Sequence, residues 1–123
     1  MSISPRDAVA VMAERLARRA PTEISIAAEI RRSLPALVKT LVRDFHARRV
    51  VLIGSVARGM ARSDADIDLA VEGLAPAMYF RALAVLAGIA GRSVDLIMIE
   101  EASPAVLGII GEGEVLHDDQ RTT

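Results

Sequence analysis

Four consecutive apolar residues, Val50-Val51-Leu52-Ile53, run straight into Gly54-Ser55, and this junction constrains the fold more than any other stretch of the chain. A short run rich in β-branched residues and ended by glycine reads as a buried strand. A second strand is expected over residues 67–71, where Asp66 and Asp68 alternate with Ile67 and Leu69, and a third over 93–99. Helical patterns surround them. Ser4 as cap, Pro5 at the first helical position and Asp7 in the first turn open one helix. Its apolar Val9, Met12, Ala13 and Leu16 recur at helical spacing, and it is expected to end near Pro21. Residues 22–32, with Ile26 and Ile30 four apart, read as a short second helix. Ser33 caps a third, with Pro35 in its first turn and Leu37, Val38, Leu41, Val42 and Phe45 on one face. Pro76 opens a helix to about Ala90, closed by Gly91, and Ser103-Pro104 opens the last one, which stops near Gly111 or Gly113. Val115 and Leu116 suggest an edge strand, and Asp118 onward a frayed polar tail. The order predicts an α/β (α+β) fold, a small mixed β-sheet flanked by helices.

The 123 residues suit one domain. A chain of this size buries about two-thirds of its unfolded surface, so a core needs no staple or structural metal. The absence of cysteine excludes disulfides, thiolate metal sites and cysteine nucleophiles, and fits a reducing, cytoplasmic setting. Aromatic residues make up only 2%, which argues against base-stacking platforms. The longest apolar stretch, residues 83–91, is under half of the ~20 residues a membrane helix needs. No signal peptide is expected either, because Asp7 and Glu14 bracket the first apolar segment. The net charge of −1 conceals a division: residues 1–62 hold 12 Lys and Arg against 5 Asp and Glu (+7), and residues 63–123 hold 3 against 11 (−8). The plain reading is two solvated surfaces of opposite sign. The functional one is a basic side that meets an anionic ligand or partner, beside an acidic side that needs a cation. The overall balance disfavours nucleic acid as a direct ligand.

Ten residues separate Gly54-Ser55 from Asp66-Ile67-Asp68. Gly54 lets a ligand approach the backbone closely. Ser55 adds a hydroxyl and an N–H, and residues 56–58 can begin a short helix whose free N–H groups face an anion. Two positions apart on a strand, Asp66 and Asp68 share a face with Cα atoms roughly 6.5–7 Å apart, so their carboxylates can converge on Mg²⁺ or Mn²⁺. Asp95 lies in an otherwise apolar strand, where an unpaired carboxylate is costly. A partner is therefore expected, a metal being the simplest and an arginine at an exposed edge the alternative. Arg58 and Arg62 are candidate neutralisers of a triphosphate, or plain surface arginines. His46 and His117 fit no motif and read as surface or capping residues, and Tyr79 and Phe80 as core or interface. Each element alone is weak, but the joint spacing arises by chance on the order of once in several hundred such chains.

Residues Val50-Val51-Leu52-Ile53-Gly54-Ser55-Val56-Ala57-Arg58-Gly59, continuing through Ser63-Asp64-Ala65-Asp66-Ile67-Asp68-Leu69, resemble the minimal nucleotidyltransferases of the DNA polymerase β superfamily. More narrowly they are similar to the MntA-like antitoxins that partner HEPN-domain toxins. The likeness runs from about Val50 to Asp118, since residues 94–97 and 113–117 also fit. It implies a polymerase β-like nucleotidyltransferase domain over residues 33–123, with residues 1–32 as an N-terminal helical extension. It further implies that Gly54 and Ser55 bind the triphosphate, that Asp66 and Asp68 hold two Mg²⁺ ions, and that Asp95 completes the acidic triad. The implied activity is two-metal transfer of NMP, AMP from ATP, to a hydroxyl, a tyrosine of a partner HEPN toxin, in an antitoxin role. The alternatives are a non-catalytic module that neutralises the toxin by binding, and a nucleotidyltransferase for RNA ends or a small molecule. The intact triad favours catalysis. A chain with no domain of its own for the acceptor, and a mean hydropathy of +0.36 with few aromatics, also points to surface covered in a complex. A homo-oligomer stays open. One departure is Val56, where many relatives carry a basic or polar residue; it bears on one phosphate contact and leaves the triad whole.

Overall fold

Strand patterns after residue 48 build a four-stranded sheet, and the helices before it supply part of one of its two covers. The computed structural model describes residues 5–119, with backbone alone for Pro5 and residues 13–20. Helices α1 (Pro5–Arg31) and α2 (Leu34–Phe45) precede β1 (Arg49–Ile53) and the single-turn α3 (Gly54–Ala57). There follow β2 (Ile67–Glu72), α4 (Tyr79–Ala90), β3 (Val94–Met98), α5 (Pro104–Gly111) and β4 (Glu114–Asp118). The strand order is β3-β2-β1-β4. β1 runs antiparallel to β2 and β4, whereas β2 and β3 are parallel, a pairing that needs the crossover α4 provides. The sheet is mixed and flanked by helices, as expected.

Alternation along the strands divides the apolar side chains between two clusters. Val50, Leu52, Leu69, Val71 and Leu96 face Leu37, Leu41 and Phe45 of α2, Ala82 and Leu86 of α4, and Ala27 and Ile30 of α1. On the opposite face Val51, Ile53 and Ala70 meet Ile110 of α5. β1 is thus covered on both sides, which is why its residues 50–53 read as an unbroken apolar run. Gly113 lets β4 in beside β1, because a Cβ there would come within 2.7 Å of the Leu52 carbonyl oxygen.

Several expectations change. Pro21 does not end the first helix: α1 continues through it to Arg31, so residues 5–31 form one helix. A proline removes one backbone hydrogen bond, and here the turns beyond it are anchored by burial of Ala27 and Ile30. Those residues tie the N-terminal segment into the domain core, and an ion pair between Arg31 and Glu114 at 2.6 Å adds a second link. Ser33 makes no cap bond to α2; its hydroxyl turns back and donates to the Ile30 carbonyl at 2.9 Å, closing α1 instead. Asp66 immediately precedes β2 rather than lying in it. β4 extends through Asp118, and the Asp119 N–H donates to the Arg48 carbonyl at 3.0 Å, so the chain is paired where fraying was expected. Other signals hold: Ser103 caps α5 by accepting from the Val106 N–H, and Gly91 closes α4 with a left-handed φ of 67°. His46 closes α2 at φ 59°, an exposed capping residue. The Ser4 cap and the tail beyond Asp119 lie outside the described residues.

Candidate active site

The site forms where β1 ends and β2 and β3 begin. Ile53 pairs with Asp68 across the antiparallel ladder, and Asp68 pairs with Asp95 across the parallel one. Residues directly opposite share a face, so Asp68 and Asp95 lie on the α5 side of the sheet. Gly54 turns there with φ 80° and presses against Asp68: a Cβ on it would collide with the Asp68 Oδ2 and stand 3.2 Å from its Cγ. Only glycine suits both the conformation and the contact. Asp68 is half-buried, while Asp66 and Asp95 are exposed. Asp95 escapes the cost of an apolar interior, because β3 is an edge strand and its carboxylate reaches solvent, the exposed-edge alternative of the sequence reading.

The electrostatics tie these groups together. Burial pushes the Asp68 carboxyl above its ordinary value of 3.8, the charges of Asp95 and then Asp66 push it the same way, and the Arg58 guanidinium opposes them. Two neighbouring carboxylates and one arginine thus act on Asp68. As the side chains stand, no three or more acidic, histidine or cysteine groups among the described residues gather into a metal-holding cluster. The backbone nevertheless sets Asp68 and Asp95 in register with Asp66 beside them, and an all-oxygen donor set burdened with mutual repulsion fits a hard divalent cation.

Beside the acids, Ser55, Arg58 and Arg62 line one cleft of about 480 Å³, together with Glu23, Met60, Ala61, Asp64 and Ala65. Asp66, Asp68 and Asp95 do not line this cleft; Arg58, which does, also acts by its charge on Asp68. Gly54 and Arg58 also border a smaller hollow of about 120 Å³. Val56, the departure from the pattern, is fully buried in the larger core and serves packing. His117 pairs with Asp119 at 2.6 Å, and the Tyr79 hydroxyl donates to the Leu96 carbonyl at 2.8 Å, so both are structural. Phe80, 80% exposed, stacks edge-on to Tyr79 away from any core.

Two residues went unread in the sequence. Arg92 donates to the Ala65 carbonyl at 2.8 Å and to the Ser63 carbonyl at 3.3 Å, pinning the loop that delivers Asp66. Its signal was its rarity, one of 3 basic residues in the acidic half of the chain. Glu23 reaches the cleft from α1, and no spacing within the sequence announces that.

Residues 36–122 match the family described as polymerase beta, nucleotidyltransferase. The chain belongs to that family. This nucleotidyltransferase is similar to a structure assigned as a minimal nucleotidyltransferase, at 30% identity and a TM-score of 0.62, covering 71% of this chain and 91% of the other. It is also similar to a toxin–antitoxin structure with AMP-PNP, at 25% identity and a TM-score of 0.61, covering 69% and 73%. It shares its fold with a chain of the complex between a tri-AMPylated Shewanella oneidensis HEPN toxin and its MNT antitoxin, at 20% identity and a TM-score of 0.55, covering 76% and 74%. Comparison with curated proteins finds no match. No helix among the described residues is long and apolar enough to cross a membrane.

Proposed function

We propose that this nucleotidyltransferase moves AMP from ATP to a hydroxyl, a tyrosine on a HEPN-domain toxin, and so acts as that toxin's antitoxin. The observation that carries the transferase part is the strand register: Gly54, Asp68 and Asp95 stand side by side on three neighbouring chain segments, with Ser55 and Arg58 next to them. The toxin partner rests on the sequence resemblance and on the likeness to a toxin–antitoxin structure with AMP-PNP. A cytoplasmic setting belongs to the same reading, as does assignment of the catalytic unit to residues 33–123.

In this reading Gly54 admits the triphosphate to the backbone, Ser55 donates to it, and Arg58 and Arg62 neutralise it. Asp66, Asp68 and Asp95 would hold two Mg²⁺ ions, or Mn²⁺, which supply charge neutralisation at the phosphates and activation of the acceptor oxygen. Asp95, at the open edge, stands on the acceptor side and favours loss of the hydroxyl proton. The acceptor oxygen bonds to the α-phosphorus, the α–β anhydride bond breaks, and pyrophosphate leaves.

The test is incubation with labelled ATP, Mg²⁺ and the HEPN-domain protein encoded beside it. Covalent AMP on a partner tyrosine is expected, together with loss of toxicity. If Asp95→Asn, stably folded, protects cells as well as wild type, neutralisation works by masking and the catalytic reading falls.

A further inference from the structure

Near the cleft α1 turns a glutamate inward and an isoleucine out. Within residues 21–25 only Glu23 is partly buried, while Ile24 next to it is 53% exposed. The helical period explains the placement. Glu23 lies four residues before Ala27 and seven before Ile30, both buried in the larger core, so it continues their stripe past the edge of the domain. There it forms part of the cleft wall with Ser55, Arg58 and Arg62. The Glu23 carbonyl also accepts the Ala61 N–H at 3.0 Å, and Ala61 is buried in that core, so α1 braces the loop that carries Arg62. All of this comes from a helix upstream of the family-matched residues 36–122.

We infer that Glu23 is a specificity-determining residue of the nucleotide site, accepting hydrogen bonds from the N–H or O–H donors of the nucleoside. The inference rests on the nucleotidyltransferase reading. A carboxylate accepts only and repels phosphate, whereas two guanidiniums and a hydroxyl suit phosphate. A cleft with both fits a ligand that is anionic at one end and rich in donors at the other, and the ribose hydroxyls and the base amino group are the donors a nucleotide offers. Asp64 lines the same cleft but is exposed on the loop; Glu23 is half-buried on a helix whose next turns are anchored, which holds it in place before the ligand arrives.

The full chain, as wild type, Glu23→Ala and Glu23→Gln, is titrated calorimetrically with the Mg²⁺ complexes of ATP, 2′-deoxyATP, 3′-deoxyATP, inosine triphosphate and tripolyphosphate. Wild type is expected to bind ATP on the order of tenfold more tightly than the analogue that lacks the recognised donor. Glu23→Ala should lose about that factor for ATP, and nothing for that analogue or for tripolyphosphate. Glu23→Gln, which keeps an acceptor oxygen, should retain part of the preference. The analogue that loses affinity in wild type tells ribose from base. Unchanged ATP affinity in Glu23→Ala overturns the inference, and so does an equal loss for ATP and tripolyphosphate, which would mean that α1 acts only by bracing the loop. Wild type that binds no triphosphate at all overturns the nucleotidyltransferase reading, and the inference with it.

Discussion

On the sheet face covered by α1, α2 and α4 the strand side chains Val50, Leu52, Leu69, Val71 and Leu96 all meet apolar partners, whereas on the α5 face the apolar contacts stop at Ile53 and Ala70 and carboxylates take over at Asp68 and Asp95. The two faces belong to the same strands, so the difference lies in their covers. Three helices exclude water from one face. An eight-residue helix leaves the end of the other open, and there like charges can sit together because solvent screens them. Among the described residues no polar or charged side chain is fully buried, which agrees with that division. Stability should therefore concentrate on the first face and chemistry on the second.

Truncation in the larger core gives the biggest effect. Leu69→Ala is predicted to cost about 2–5 kcal/mol in urea unfolding, since Leu69 is fully buried; a loss under about 1 kcal/mol would break the comparison. On the open face Asp95→Asn should alter unfolding by no more than about 0.5 kcal/mol, because the carboxylate is exposed. The same change is expected to slow AMP transfer about a hundredfold or more, equivalent to about 3 kcal/mol of transition-state stabilisation, with Mg·ATP binding near normal. A folded variant with wild-type transfer rates would remove Asp95 from the chemistry.

Gly54→Ala sharpens the comparison at the junction of the two faces. The left-handed φ of 80° is expected to cost an alanine roughly 1–2 kcal/mol, and the new methyl displaces the Asp68 carboxylate. Melting temperature and Mg·ATP affinity should fall together; if affinity survives, the close approach of Gly54 to Asp68 has no part in binding. The smallest effect is predicted for Asp68 in chelator. Its folded carboxyl titrates above the unfolded value near 3.8, so the folded state binds the proton more tightly. Stability should then rise as pH falls through the folded value and level off near 3.8. Asp68→Asn should abolish that rise and leave the metal-free protein at neutral pH slightly more stable than wild type. A melting curve series showing the opposite slope would be incompatible with the burial of Asp68 and its repulsion by Asp95 and Asp66.

The strand Val50–Ile53, its stop at Gly54, the spacing to Asp66 and Asp68, and the caps at Gly91 and Ser103 could all be read along the chain. Each is a local effect: alternation, a missing Cβ or a capping hydroxyl acts within a few residues. Pro21 and Ser33 misled for the same reason. Their usual local meanings were overridden where Ala27 and Ile30 are buried against the sheet and the Ser33 hydroxyl found the end of α1. That Asp68 stands opposite Asp95 follows from the parallel register imposed by the α4 crossover. That Arg92 holds the Ala65 carbonyl joins positions 27 apart, and that Glu23 reaches the Ser55 cleft depends on where the core docks α1. Residue types and their local order were set by the sequence, but which of them face one another was decided by tertiary packing, because contacts between distant segments depend on how whole elements bury their apolar faces.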